Sequence, residues 1–179
     1  MNPARQASLR YALVLCAAVV AALFVAASSQ AAGLDIHASA DAADIGLPVY
    51  PGAIKKVNRD GEPTGFSFGI WGDSFGVKVA VVSYRSVDSL DKVAAFYRDA
   101  LAKYGPVLDC SHPQPKPPRA SRDDKSDKDE PVTCDNETVD PGGRLYRVGT
   151  KHLQRAFKAT PWHDGVTFEL VRVEEHGAD

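Results

Sequence analysis

Apolar and polar residues alternate along this chain with two different periods, and the longer period marks the element around which the rest is arranged. In residues 88–106 (DSLDKVAAFYRDALAKYGP), Leu90, Val93, Ala94, Tyr97, Leu101 and Tyr104 recur at helical spacing. Asp91, Lys92, Arg98, Asp99 and Lys103 fall on the opposite arc, and Phe96 lies at the stripe's edge. Asp88 is the expected N-cap, because its carboxylate can accept a free N–H of the first turn. Gly105-Pro106 is the expected stop. The shorter period, two residues, predicts strands on either side of this helix. Phe66, Phe68 and Ile70 alternate with Ser67 and Gly69, and residues 77–84 (VKVAVVSY) form a β-branched run apolar on both faces, as a central strand would be. Shorter candidates lie at 53–57 and 107–110, and further strands at 145–148, 155–160 and 166–173. His163-Asp164-Gly165 joins the last two as a hairpin.

These elements predict an α+β fold: one antiparallel sheet of about six or seven strands with one main amphipathic helix packed on one face. Pro51 holds Tyr50 extended, and Pro51-Gly52 suits the centre of a type II turn. Tyr50 reads as an anchor docking the incoming chain on the core, in preference to an exposed ligand-binding aromatic.

Three stretches break the pattern. Arg5 and Arg10 precede an apolar run at 11–27 that ends in small residues, the layout of a secretory signal peptide cut after Ala31. The alternative is an uncleaved anchor, the only route by which the sequence ties this protein to a membrane. Residues 32–46 (AGLDIHASADAADIG) are small, acidic and aperiodic, and read as a flexible lead-in. Residues 111–133 open with four prolines between 113 and 118 and hold five basic and five acidic residues, with no large apolar residue before Val132, and read as a disordered loop. One domain over 47–175 remains.

Composition adds bounds. The 179 residues are 44% hydrophobic and 25% charged, ordinary for a globular chain, and the net charge of −2 lacks the basic excess of a nucleic-acid binder. Removing residues 1–31 takes two of 21 basic residues and none of 23 acids, so the mature chain carries 19 against 23, a net charge of −4. Two of three cysteines also remain. Cys110 and Cys134 bracket the polar loop and read as a disulfide; a metal site with His112 and Asp135 lacks any standard zinc spacing.

The segment PVYPGA, followed about forty residues later by SVDSLDKVAAFYRDALAKYG and then by RLYRVGT and GVTFELVRVE, resembles a recurrent pattern in small exported bacterial proteins of uncharacterised biochemistry. The similarity covers residues 47–110 and 144–173. It implies a fold outline and an exported compartment, periplasmic or extracellular, with no catalytic residue and no cofactor.

For chemistry the chain offers little. No H-E-x-x-H is present, and no serine stands at the strand-to-helix elbow of a G-x-S-x-G hydrolase. Trp162-His163-Asp164 reads as a turn, since sequence neighbours on strands point apart. Residues 144–158 carry Arg144, Arg147, Lys151, Arg155 and Lys158 with no acid among them, so Arg147, Lys151 and Arg155 are candidate ligands for an anionic envelope component. The expected function is a non-catalytic envelope module that binds or supports something outside the cytoplasm. The alternative is a small exported hydrolase with a site assembled from residues distant in sequence.

Overall fold

The computed structural model describes residues 33–112, 130–134 and 139–177. The expected signal segment, most of the expected disordered loop and Asp135 lie outside the described residues. Eight strands form one antiparallel sheet: β1 (Gly33–His37), β2 (Ile54–Lys55), β3 (Gly65–Trp71), β4 (Phe75–Ser86), β5 (Leu108–Asp109), β6 (Arg144–Gly149), β7 (Leu153–Trp162) and β8 (Gly165–Gly177). Their spatial order is β1-β3-β4-β8-β7-β6-β5, with β2 paired to the end of β4. Two short helical pieces flank the main helix α2 (Leu90–Leu101): α1 (Ala42–Ile45) and a 3-10 turn over Ala102–Tyr104. The fold is thus a mostly sheet α+β domain.

Seven of these strands follow the expected order; the eighth, β1, overturns the reading of 32–46 as a flexible lead-in. β1 pairs with β3 from Gly33↔Trp71 to His37↔Ser67, and the chain then crosses over to α1. Ala40, Ala42 and Ile45 are buried. Small residues give no readable period, but they let the backbone lie close to the sheet, as at Gly65, where an added Cβ would stand 3.1 Å from the Ala40 carbonyl oxygen. The distal end of the polar loop is also built in: Val132 is buried and its N–H donates to the Gly149 carbonyl (3.1 Å).

The core fills the space between α2 and one face of β4, β8, β7 and β6. Val93, Ala94, Tyr97, Ala100 and Leu101 turn inward onto Phe157, Phe168 and Leu170. Burying the larger side chains contributes roughly 1.5–3 kcal/mol each. Tyr97 lies at the centre, stacked on Phe157 (centroids 4.8 Å) and edge-on to Phe96 (5.1 Å). Its O–H donates to the Pro48 carbonyl (3.2 Å) and its oxygen accepts the Tyr50 N–H (3.1 Å), which ties the incoming segment to the helix. Tyr50 is buried as an anchor, as expected, with its ring edge-on to Phe96.

The helix ends differ in detail from expectation. Ser89, not Asp88, is the N-cap, and its Oγ accepts the Lys92 N–H (3.4 Å). Asp88 is drawn off by the Tyr50 O–H (2.7 Å) and the Lys92 Nζ (2.9 Å). The α-helix closes at Leu101, tightens into the 3-10 turn and stops at Gly105 (φ 133°). Tyr104 therefore leaves the buried stripe; its O–H donates to the Gly46 carbonyl, and the Arg155 guanidinium lies over its ring (3.8 Å). At the β7–β8 hairpin the two loop residues are His163 and Asp164, with His163 at φ 46°. Gly165 is already strand, and only glycine fits there, since an added Cβ would meet the Ser86 carbonyl oxygen at 2.1 Å.

Candidate functional site

Strand register sorts the sheet's side chains onto two faces. Ala80, Val82 and Tyr84 of β4, with Val166, Phe168 and Leu170 of β8, meet the helix and belong to the core. Alternation should leave the other face polar, as antiparallel sheets covered on one side usually are. It is not polar. Pairing puts Leu34 and Ile36 beside Ile70 and Phe68, these beside Val77 and Val79, and Val79 and Val81 beside Val173 and Val171; Phe66 joins the row of Val81. None of these ten residues is buried: Leu34 and Ile36 are each 65% exposed and Phe66 49%. The run at 77–84 is therefore central in the sheet as its composition predicts, but among the described residues nothing packs over one of its two apolar faces. Large contiguous apolar surface on a folded chain marks an interaction site.

Towards β7 and β6 this face becomes polar and slightly hollow. A shallow concavity of about 190 Å³ is floored by Ala156 and bounded by Arg147, Gln154, Lys158, Glu169, Val171 and Val173. The small Ala156 opens it, and the cations stand around it: Arg147 is the cross-strand partner of Ala156, and Lys158 sits one row on, between Leu145 and Glu169.

The structure does not bring the three candidate anion ligands together. Arg147 faces the concavity, with one guanidinium N–H to the Thr133 carbonyl (2.7 Å) and another to Gln154 Oε1. Lys151 follows the end of β6 and pairs with Glu130. Arg155 points to the helix side, where its Nε donates to the Ile45 carbonyl (2.9 Å) and fastens α1. Arg144 pairs with Asp91 on α2 (3.1 Å). Lys158, rather than Lys151 or Arg155, shares the face with Arg147. Alternation alone could have shown this once the register of β6 on β7 was known.

No protein-family model, curated protein or solved structure matches this chain. The site is read from its own geometry.

Cys110 and Cys134 are bonded, with Cα atoms 5.3 Å apart, which rules the paired thiols out as metal ligands. Asp88, with Tyr50 and Lys92, is the most connected polar group near the helix start. The Lys92 hydrogen bond, then that from Tyr50, holds its carboxyl below the usual value, while burial and then the Asp88 carboxylate push the Tyr50 phenol up. Both Asp88 oxygens are committed to this brace. His152 stands 3.8 Å from Glu175, and His163 lies in a hairpin turn against Trp162 (centroids 4.5 Å).

One constellation escaped the sequence reading. Residues 65–69 (GFSFG) do spell G-x-S-x-G, but inside β3. Ser67 is the cross-strand partner of His37, whose Nδ1 lies 2.9 Å from Asp35 Oδ1. The local signal was present at 35–37 and 65–69, but only pairing β1 to β3 joins them. The strand setting gives no sharp turn to lift the serine.

Proposed function

We propose that the protein is an exported envelope module whose open sheet face binds an anionic amphiphile, a lipid-class molecule with an apolar body and a negatively charged head. The observation that carries this reading is the bare apolar face of β1, β3, β4 and β8 running into the Arg147–Lys158 concavity. The apolar body lies along Phe66, Phe68, Val79, Val81 and Val171, where it is removed from water, and the head lies against the two cations. Export rests on the charged, apolar and small-residue layout of residues 1–31, and is consistent with a disulfide at Cys110–Cys134. Flotation with vesicles tests the binding. Vesicles rich in anionic phospholipid should retain the protein and zwitterionic ones should not, with binding falling steeply from low to physiological salt. Phe66→Ser and the pair Arg147→Ala with Lys158→Ala should each weaken it. Undetectable or salt-independent binding refutes the reading, as does equal binding to acidic glycans that ignores Phe66.

A second reading, a small exported hydrolase, is favoured by one observation: the Asp35–His37 contact opposite Ser67. His37 would take the Ser67 proton as the serine attacks an ester carbonyl, and water would release the acyl group. His37 and Asp35 are, however, largely open to solvent, and among the described residues no hydrogen bond joins Ser67 Oγ to His37. Hydrolysis of a nitrophenyl ester that disappears in Ser67→Ala would favour the hydrolase; equal rates in both proteins would remove it.

A further inference from the structure

We infer that β1 is a self-recognition edge through which two copies of this chain join into a two-fold dimer with one continuous sheet. The sheet has two ends, and they differ. At the β6 end the outer edge is occupied: Leu108 and Asp109 pair with Arg147 and Tyr146, the Cys110 N–H donates to the Leu145 carbonyl (2.8 Å), and the Val132 N–H takes the Gly149 carbonyl. The Cys110–Cys134 bond locks these segments together. At the other end β1 pairs with β3 on one side only among the described residues, which leaves the backbone groups of its outer side to template another strand. Leu34 and Ile36 beside that edge are each 65% exposed.

The residues on β1 select both the partner and the register. Leu34 and Ile36 lie on the open apolar face, and Asp35 and His37 lie on the other. Antiparallel pairing of β1 with a second β1 about a two-fold axis at Ile36 sets Ile36 against the partner's Ile36. The same register sets Asp35 against the partner's His37, twice over by symmetry. A two-fold axis at Asp35 would instead oppose two carboxylates, which is unfavourable for directly facing cross-strand groups. His37 already holds its own Asp35 through Nδ1 (2.9 Å), and in this register the partner's Asp35 is the carboxylate opposite its ring. The contact is isologous, so it closes at two chains and does not propagate into a filament. It extends the bare apolar face across both copies. It rests on the β1 edge alone and is independent of what that face binds.

Cysteine trapping tests it, using the purified chain with Cys16→Ser so that the remaining native cysteines are the bonded pair. At about 100 μM, above the dissociation constant of a specific contact, Ile36→Cys should cross-link to a dimer under mild oxidation, since directly paired residues lie about 4.5–5.5 Å apart. Leu34→Cys, offset by four positions from its own counterpart, should not. Sedimentation of the unsubstituted chain should show twice the monomer mass, and Asp35→Lys should weaken association about tenfold while leaving the fold intact. A monomer at that concentration overturns the inference. So does equal trapping at 34 and 36, or a dimer in which position 36 resists cross-linking.

Discussion

Replacing Tyr97 by Phe tests how the incoming segment is fastened to the helix. The ring keeps its stacking on Phe157 and its contacts with Phe96 and Phe168, so packing is conserved. What is lost is one oxygen that accepts the Tyr50 N–H and donates to the Pro48 carbonyl. Tyr97 is 0% exposed and Tyr50 4%, so the Tyr50 N–H is left without a partner. An orphaned buried group costs about 1–3 kcal/mol, and a loss near 2 lowers the melting temperature by roughly 4–8 °C for a domain of this size. A second signature follows from titration. Burial pushes the Tyr97 phenol far above its ordinary value of 10.0. The unfolded chain therefore releases this proton as pH rises past 10 while the folded chain keeps it, and stability falls there. Without the phenol that loss is shallower by about 1.4 kcal/mol per pH unit, although Tyr50 and Tyr84, also raised by burial, keep some of it. Urea unfolding of both proteins at neutral pH and between pH 10 and 12 measures both effects. A variant within 0.5 kcal/mol of the parent at neutral pH, or with an unchanged alkaline slope, refutes the reasoning.

Leu101→Ala, at a fully buried position, should cost about 2–5 kcal/mol, whereas Lys103→Ala in the exposed 3-10 turn should stay within about 0.5, both by denaturant melts. Reducing Cys110–Cys134, which spans 24 residues, should lower stability by about 3–4 kcal/mol, and a chelator should change nothing; unfolding by chelation alone would contradict the disulfide assignment. Acid should weaken the helix start and β5 together as pH falls through and below 3.8. The Asp88 carboxyl is lowered by Lys92 and Tyr50; burial raises that of Asp109, but its Ser111 and Arg98 contacts outweigh this. Histidine-independent loss of amide protection at Tyr50 and Ser111 in that window checks it.

The strand order from residue 53 onward, the helix, its buried face and the disulfide could be read from residue patterns, because periodic apolar positions and paired cysteines are local signals. The sheet's eighth strand could not. Residues 33–46 bury themselves through Ala40, Ala42 and Ile45, and small residues signal burial only once the surface they approach is known. The same limit explains the N-cap: Asp88 suits the position, but Tyr50, 38 residues away, claims its carboxylate. For the site, the basic run at 144–158 was visible, yet its division between two faces depends on β6 pairing with β7 in the Arg147↔Ala156 register. The doubly apolar strand at 77–84 is central in the sheet, as its composition predicts, but composition does not say which of its faces is covered. Both faces are apolar, but among the described residues only one is packed against the helix, and the other is the candidate site.

The most direct measurement is residue-resolved: amide and methyl chemical shifts during titration with an alkyl phosphate below its micelle concentration. The open-face account predicts saturable shifts at Phe66, Phe68, Val79, Val81, Val171, Ala156 and Arg147, with Val82, Tyr97, Phe157 and Phe168 on the covered face unmoved. Shifts confined to the helix side, or none at all, would contradict it.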